Sequence, residues 1–200
     1  MSGPSNGSVA GEALGLPAFS LDVQALDLGA DVKAVGLELL ETESREPVRG
    51  KEAAKFWAAT FPLLANGESL VLDFFSHLER VREFCANRKI EFRETGSRSL
   101  VISQPSQEQL QQLFERFAVE TFGLRSGERS KEEDTELADG LSSRGVDAYQ
   151  AAYKRYSFCA ICEIDDGWVT LLSATLWPSE VVRRLRPAAQ SFDVHIARPN

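Results

Sequence analysis

The chain has 200 residues, of which 43% are hydrophobic and 26% are charged, a composition typical of a globular protein with a buried core. Its formal net charge of −8 argues against bulk nucleic acid or an anionic membrane as the main partner, because both require a cationic surface. No apolar run approaches the roughly 18 residues that span a bilayer, and the first residues lack a secretion signal. We therefore expect a cytoplasmic protein without a membrane span.

Residues 1–17 are rich in glycine, serine and alanine, and we expect a flexible N-terminal arm there. The single domain is predicted to occupy residues 18–200. Within residues 19–25, Phe19, Leu21 and Val23 alternate with polar residues, which predicts a half-buried strand. Residues 34–40 are short and apolar and predict a second strand, which is followed by a polar loop.

Two long helices are predicted next. Residues 51–65 have a broad apolar face, and Asn66 with Gly67 marks the end of that helix. Pro62 is expected to kink or shorten it. Residues 69–87 have the clearest helical spacing in the chain, because one apolar stripe contains Leu70, Val71, Phe74, Leu78, Val81, Phe84 and Cys85.

A short hairpin is predicted from residues 90–93 and 100–102. Ser106 and Gln109 match the capping-box pattern at the start of a helix that is expected to run to Phe122. Residues 124–145 are the most charged part of the chain and predict a mobile surface connection. A short helix is expected over residues 146–155.

The last part of the chain predicts a hairpin, a helix and a closing strand. Residues 156–164 and 168–177 are rich in β-branched and aromatic residues, and the polar link between them suits a tight turn. Pro178 stops the strand, and Ser179 is expected to accept a hydrogen bond from the helix N-terminus. Residues 192–197 alternate and are expected to return to the sheet.

These elements predict an α+β fold, in which two hairpin-helix units form an antiparallel sheet with helices mainly on one face. The order of elements in residues 69–122 resembles that in residues 146–190, with a Pro-Ser pair at matching places, so a pseudo-twofold repeat is one interpretation. A second arrangement stays open, in which halves 18–123 and 146–200 are joined by the charged linker 124–145.

Three cysteines are present, an odd number in a chain large enough to fold without disulfides, and we expect them to be reduced. Cys159 and Cys162 have the spacing of redox and zinc sites. In a strand, however, residues three apart lie on opposite faces, so these two thiols cannot share a metal or form a disulfide without a bulge. We interpret them as core residues, and we expect no metal and no cofactor.

Other catalytic signals are sparse. The sequence has no nucleophile elbow, complete P-loop or dinucleotide fingerprint. His77 lies near Asp73 and Arg80 on the predicted long helix, which is more typical of a surface ion pair than of a proton carrier. His195 alternates with Val194 and Ile196 and should face solvent if they face inward. Three arginines of the last helix, Arg183, Arg184 and Arg186, are most simply a solvated helix face.

Large aromatic residues carry the best hint of function. Trp168 and Trp177 are nine residues apart in one predicted strand, so they should lie on opposite faces of the sheet. The helices should cover one face, which would leave one tryptophan exposed unless another element covers it. Exposed tryptophan is a frequent anchor of protein interfaces.

We therefore expect a non-catalytic interaction module, of the adaptor, chaperone-like or regulatory kind. It would bind a protein partner or a second copy of itself through an exposed sheet face or edge, with Phe19, Trp168, Trp177 and Phe192 as anchors. The alternative is a small-molecule-binding domain or modest enzyme. That alternative predicts a pocket between sheet and helices in which at least two of three polar side chains converge, namely His77, His195 and Cys162.

Overall fold

A computed structural model describes residues 17–29, 32–74, 77–95, 99–117, 122–126, 150, 153–154, 158–163 and 167–197. The predicted arm in residues 1–16 and most of the predicted helix in residues 146–155 lie outside them. Within the described residues, the helices are α1 Gly50–Ala65, α2 Leu78–Arg88, α3 Gln107–Phe117 and α4 Pro178–Ser191. The strands are β1 Phe19–Asp27, β2 Lys33–Glu41, β3 Leu70–Phe74, β4 Arg93–Thr95, β5 Ser99–Ser103, β6 Phe122–Ser126, β7 Cys159–Glu163, β8 Trp168–Leu172 and β9 Val194–Ile196.

The strands join one sheet in the order β4-β5-β3-β6-β7-β8-β2-β1-β9. Neighbouring strands are antiparallel except at one end, where β9 runs parallel to β1. The α+β class is confirmed. The closing strand returns to the sheet as expected, although it is parallel to β1 rather than antiparallel.

The sheet interleaves segments that are distant in the chain. Three times, a hairpin is followed by a helix and then by a third strand: β1-β2-α1-β3, β4-β5-α3-β6 and β7-β8-α4-β9. The third strand does not lie beside its own hairpin, because β3 separates β5 from β6, and β2 with β1 separates β8 from β9. The predicted twofold repeat is not confirmed, since its first copy begins with a strand rather than with a helix.

The main core lies between the sheet and the helices. The helices α3 and α4 both contact α1. Their buried side chains form one cluster with one face of the sheet, to which Leu37, Leu72 and Leu171 contribute. The opposite face has a smaller buried cluster around Ala34, Ile161 and Leu172, against which Tyr153 packs.

The predicted helix over residues 69–87 is wrong in its first part. Residues Leu70–Phe74 form β3, a strand between β5 and β6, and only Leu78–Arg88 is helical. All five residues of β3 are buried, so the strand shows no alternation of apolar and polar residues. A buried strand followed by an amphipathic helix thus imitated one continuous helical stripe.

The predicted connection over residues 124–145 is wrong at its start. Residues 124–126 belong to β6, which pairs with β3 on one side and β7 on the other. Gly123 lies inside that strand and does not end the preceding helix. Residues 127–145 lie outside the described residues, and the sheet includes strands from both sides of them.

The two Pro-Ser pairs differ in structure. Before α3, the Ser106 N–H donates to Gln109 Oε1 (2.8 Å) and the Gln109 N–H donates to Ser106 Oγ (3.2 Å), which confirms the capping box. Before α4, the N-cap is Trp177 and no side chain caps the helix. The expected capping role of Ser179 is therefore wrong, because Pro178 already occupies the first helical position.

Candidate functional site

Trp177 stands out at the start of α4. Among the described residues it is the one large hydrophobic side chain that is exposed, at 49% of its surface. Strand β8 ends at Leu172, and Ser173 Oγ then accepts the N–H groups of Thr175 and Leu176. This turn directs Leu176 into the core and leaves Trp177 at the surface.

A groove of about 290 Å³ lies beside Trp177, between the start of α4 and the ends of β1 and β2. Its apolar walls include Ala25, Val35 and Leu176. Lys33 Nζ lies 5.2 Å from the centroid of the Trp177 ring, a cation–π contact that orients the indole. The groove is large enough for a bulky apolar side chain and is bordered by an aromatic ring.

Among the described residues, one edge of β1 has no pairing strand along this groove. Strand β9 covers only Phe19 to Leu21, whereas β1 continues to Asp27. The Leu21 carbonyl accepts the Ala197 N–H at 3.0 Å, which shows that the backbone N–H and C=O groups of the odd-numbered residues of β1 point away from β2. The Leu28 N–H donates to Val32 O, so the backbone groups of the even-numbered residues point toward β2.

By this alternation Val23, Ala25 and Asp27 direct their N–H and C=O groups outward. On that side of β1, no strand within the described residues pairs with them. The open edge therefore offers a row of backbone donors and acceptors, as an edge strand does when it accepts another chain.

The four predicted anchors do not form one surface. Trp168 is half-buried on the face opposite the helices, where its ring covers Gly36 and its indole N–H donates to Thr170 Oγ1 at 2.9 Å. Phe19 and Phe192 are half-buried against the main core. Because β8 ends at Leu172, the two tryptophans do not share a strand, and Trp177 is exposed through the turn before α4.

The three predicted pocket residues are also separated. Cys162 is buried in the main core, on β7. His195 is exposed on β9, four strands away, and His77 is exposed at the N-cap of α2. At about 4.8 Å between strands, Cys162 and His195 are roughly 19 Å apart across the sheet. The structure does not bring these side chains together.

Cys159 and Cys162 lie in different clusters on opposite faces of β7, as their spacing predicts. All three cysteines are buried and form no disulfide. Burial raises the pKa of the Cys85 thiol to about 11, and burial followed by the nearby Cys159 raises the pKa of Cys162 well above its ordinary value. Neutral, buried thiols are poor nucleophiles and poor metal ligands.

The arginines of α4 divide into two kinds. Arg183 and Arg184 both donate to the Glu180 carboxylate, and Arg184 also donates to the Leu64 carbonyl at the end of α1. Arg186 forms no hydrogen bond or ion pair with any described residue. Two of the three arginines are therefore structural.

Sequence reasoning missed Ala25, Lys33 and the open edge of β1. The predicted first and last strands have similar lengths, whereas the observed strands have nine and three residues. Their unequal pairing depends on where the chain returns to the sheet.

Comparison with protein-family models, curated proteins and solved structures gives no match. In the part of the chain that the structure describes, no helix combines the length and apolarity needed to cross a membrane. The same residues contain no group of three side chains suited to hold a metal ion.

Proposed function

We propose that this protein is a non-catalytic interaction module that adds an extended segment of a partner protein to the open edge of β1. The exposed Trp177 beside that edge is the observation that carries the proposal. Strand addition uses main-chain hydrogen bonds for affinity and side-chain pockets for specificity. Here the open edge of β1 would supply the hydrogen bonds, and the groove beside Trp177 would supply the pocket.

The register of such a partner follows from the alternation in β1. Val23, Ala25 and Asp27 would form the backbone hydrogen bonds. A partner side chain opposite Ala25, on the helix side, would enter the groove that Trp177 borders. Tryptophan in a partly enclosed site is a common centre of binding energy, whereas the surrounding contacts mainly exclude water.

The positions of the polar groups support binding rather than catalysis. Cys162 is buried as a neutral thiol, and His77 and His195 lie apart from it and at the surface. The three cysteines are buried and form no disulfide, which also supports a reducing location such as the cytoplasm. An adaptor or regulatory subunit would need no more than the edge and the groove.

A matched pair of variants tests the edge directly. Ala25→Pro removes an outward N–H without breaking the ladder to β2, whereas Ala25→Ser keeps it. Peptides selected from a displayed random library against the native protein should bind Ala25→Ser normally and Ala25→Pro weakly. Trp177→Ala should weaken binding by roughly 30-fold or more, as expected for a central tryptophan.

Amide hydrogen exchange locates the bound segment. Bound peptide should slow exchange at the Val23, Ala25 and Asp27 amides. Selected ligands that bind Ala25→Pro and Trp177→Ala as well as they bind the native protein would contradict the proposal. A dimer that Ala25→Pro dissociates would identify a second copy as the occupant, and a small molecule that binds the groove without protecting these amides would favour the ligand-binding alternative.

A further inference from the structure

A second groove lies at the same end of the sheet, between α4 and the outer strand β9. Its volume is about 350 Å³. On the α4 side, Val182, Arg186 and Ala189 follow the i, i+4, i+7 spacing of one helix face. On the β9 side, the half-buried Ile196 contributes apolar surface, whereas Val194 is almost completely buried. The groove thus has mixed walls between a helix and a strand, in which the apolar Val182 and Ile196 lie near the polar Arg186 and Gln190.

The β9 wall has open backbone groups. The Ala197 N–H points toward β1, where it donates to Leu21 O. The backbone groups of His195 therefore also point toward β1, and those of Val194 and Ile196 point outward from the sheet. Strand β9 is last in the strand order, and no described strand lies beyond it. An extended segment could therefore pair with β9 while its side chains contact α4.

The charge of this groove differs from that of the whole protein. The chain has 30 acidic and 22 basic residues, yet among the described residues that line the groove the one formally charged side chain is that of Arg186. Glu180, which is the nearest acidic residue on α4, is already bound to Arg183 and Arg184. Arg186 has no carboxylate partner among the described residues, although arginine binds carboxylates well through paired N–H donors.

We propose that the groove between α4 and β9 is a separate docking site for an extended polypeptide segment in which an acidic residue and apolar residues occupy every second position, on one face of the segment. These side chains would all face the groove, where the apolar residues would contact Val182 and Ile196 and the carboxylate would pair with Arg186. The site shares no lining residue with the groove beside Trp177, so it does not depend on the proposed function.

The test uses the full chain and a blocked peptide with valine, glutamate and valine at successive second positions, separated by threonine. Otherwise identical peptides that carry lysine or glutamine in place of glutamate are the controls. Fluorescence anisotropy should show that the glutamate peptide binds best. Arg186→Glu should weaken its binding by roughly tenfold or more, in line with the strength of charge-assisted hydrogen bonds. The same variant should now prefer the lysine peptide, a reversal that misfolding cannot produce.

Arg183→Glu is the matched control, because Arg183 is 70% exposed on the same helix but does not line the groove. It should leave peptide preference unchanged, as should Ala25→Pro. Equal binding of the three peptides, loss of binding in Arg183→Glu, or no saturable binding up to about 1 mM would each overturn the proposal. A dimer that Arg186→Glu dissociates, without peptide binding, would also overturn it, because the occupant would then be a second copy.

Discussion

Gly36 shows how one missing side chain shapes the face of the sheet opposite the helices. A Cβ atom at this position would lie 2.8 Å from two ring atoms of Trp168 and 3.1 Å from Leu26. Glycine therefore allows the indole to lie flat across β2. The ring covers backbone that would otherwise be open, and its N–H reaches Thr170.

We expect Gly36→Ala to lower the free energy of unfolding by about 1–3 kcal/mol, because the added methyl group displaces a packed ring. Urea denaturation measures the change. In a Trp168→Ala background the same substitution should cost much less, since the clash is removed. An equal cost in both backgrounds would show that the backbone, rather than the indole, requires glycine.

Glu180 should make stability depend on pH. Hydrogen bonds from Arg183 and then Arg184 lower the pKa of Glu180 from its ordinary value of 4.5 to about 2. Because the folded-state pKa is the lower one, the ionised carboxylate stabilises the folded state fully above about pH 4.5. That contribution is lost as the pH falls toward 2.

Glu180→Gln should therefore be less stable than the native protein at pH 7, and the difference should shrink between pH 4.5 and pH 2. Urea denaturation at several pH values measures this. Glu83→Gln is the control, because the exposed Glu83 forms no ion pair within the described residues. A difference for Glu180→Gln that is constant down to pH 2 would contradict the assigned role.

At the scale of the element, β3 explains why the clearest helical pattern misled. Leu72 should lie on the polar side of a helix over residues 69–87, but in β3 it is completely buried against the helices. A strand that is covered on both faces has buried and mostly apolar residues at successive positions, so its pattern does not exclude a helix.

Leu72→Ala should therefore destabilise the protein by about 2–5 kcal/mol, the usual cost of a truncated buried leucine. Leu78→Ala, at the half-buried start of α2, should cost less. Thermal or urea denaturation compares the two variants. A tolerated Leu72→Ala together with a damaging Leu78→Ala would support the helical interpretation instead.

The two Pro-Ser pairs give a second comparison between elements. Ser106→Ala should reduce stability by about 0.5–2 kcal/mol, because the Gln109 N–H loses its acceptor. Ser179→Ala should have almost no effect, since the exposed Ser179 caps nothing. Chemical denaturation of both variants is sufficient, and equal losses would mean that both serines act as caps.

At the scale of the whole molecule, the interleaved sheet places the cysteines where only extensive opening exposes them. Cys159 and Cys162 lie on β7, between β6 and β8, and Cys85 lies on the buried face of α2. Of the two neighbours of β7, β8 follows it directly in a hairpin, whereas β6 belongs to a separate part of the chain. Local fraying at one end of the chain should not reach these thiols.

We expect the native protein to react slowly with a thiol reagent at pH 8, because burial raises the pKa of Cys85 to about 11 and also raises that of Cys162. Unfolding in urea should release all three thiols together. Absorbance of the released dye follows both reactions. Rapid labelling of one cysteine in the native protein would show that its part of the sheet opens independently.

The local elements could be predicted because neighbouring residues determine them. Ser106 and Gln109 cap α3 through bonds made three residues apart, and Asn66 ends α1 in a left-handed conformation that asparagine tolerates. The alternation of Phe19, Leu21 and Val23 was sufficient to predict β1. The opposite positions of Cys159 and Cys162 likewise followed from the geometry of a single strand.

The sequence by itself thus determined the α+β class, two of the three described hairpins, three of the four described helices and the burial of the cysteines. Only the tertiary structure decided that residues 70–74 are a central strand, that β9 covers just three residues of β1, and that Trp177 is exposed beside the remaining edge. Local patterns depend on bonds between near neighbours. The open edge and its groove depend on which distant strands pair. That pairing is set by how the whole sheet buries its apolar surface.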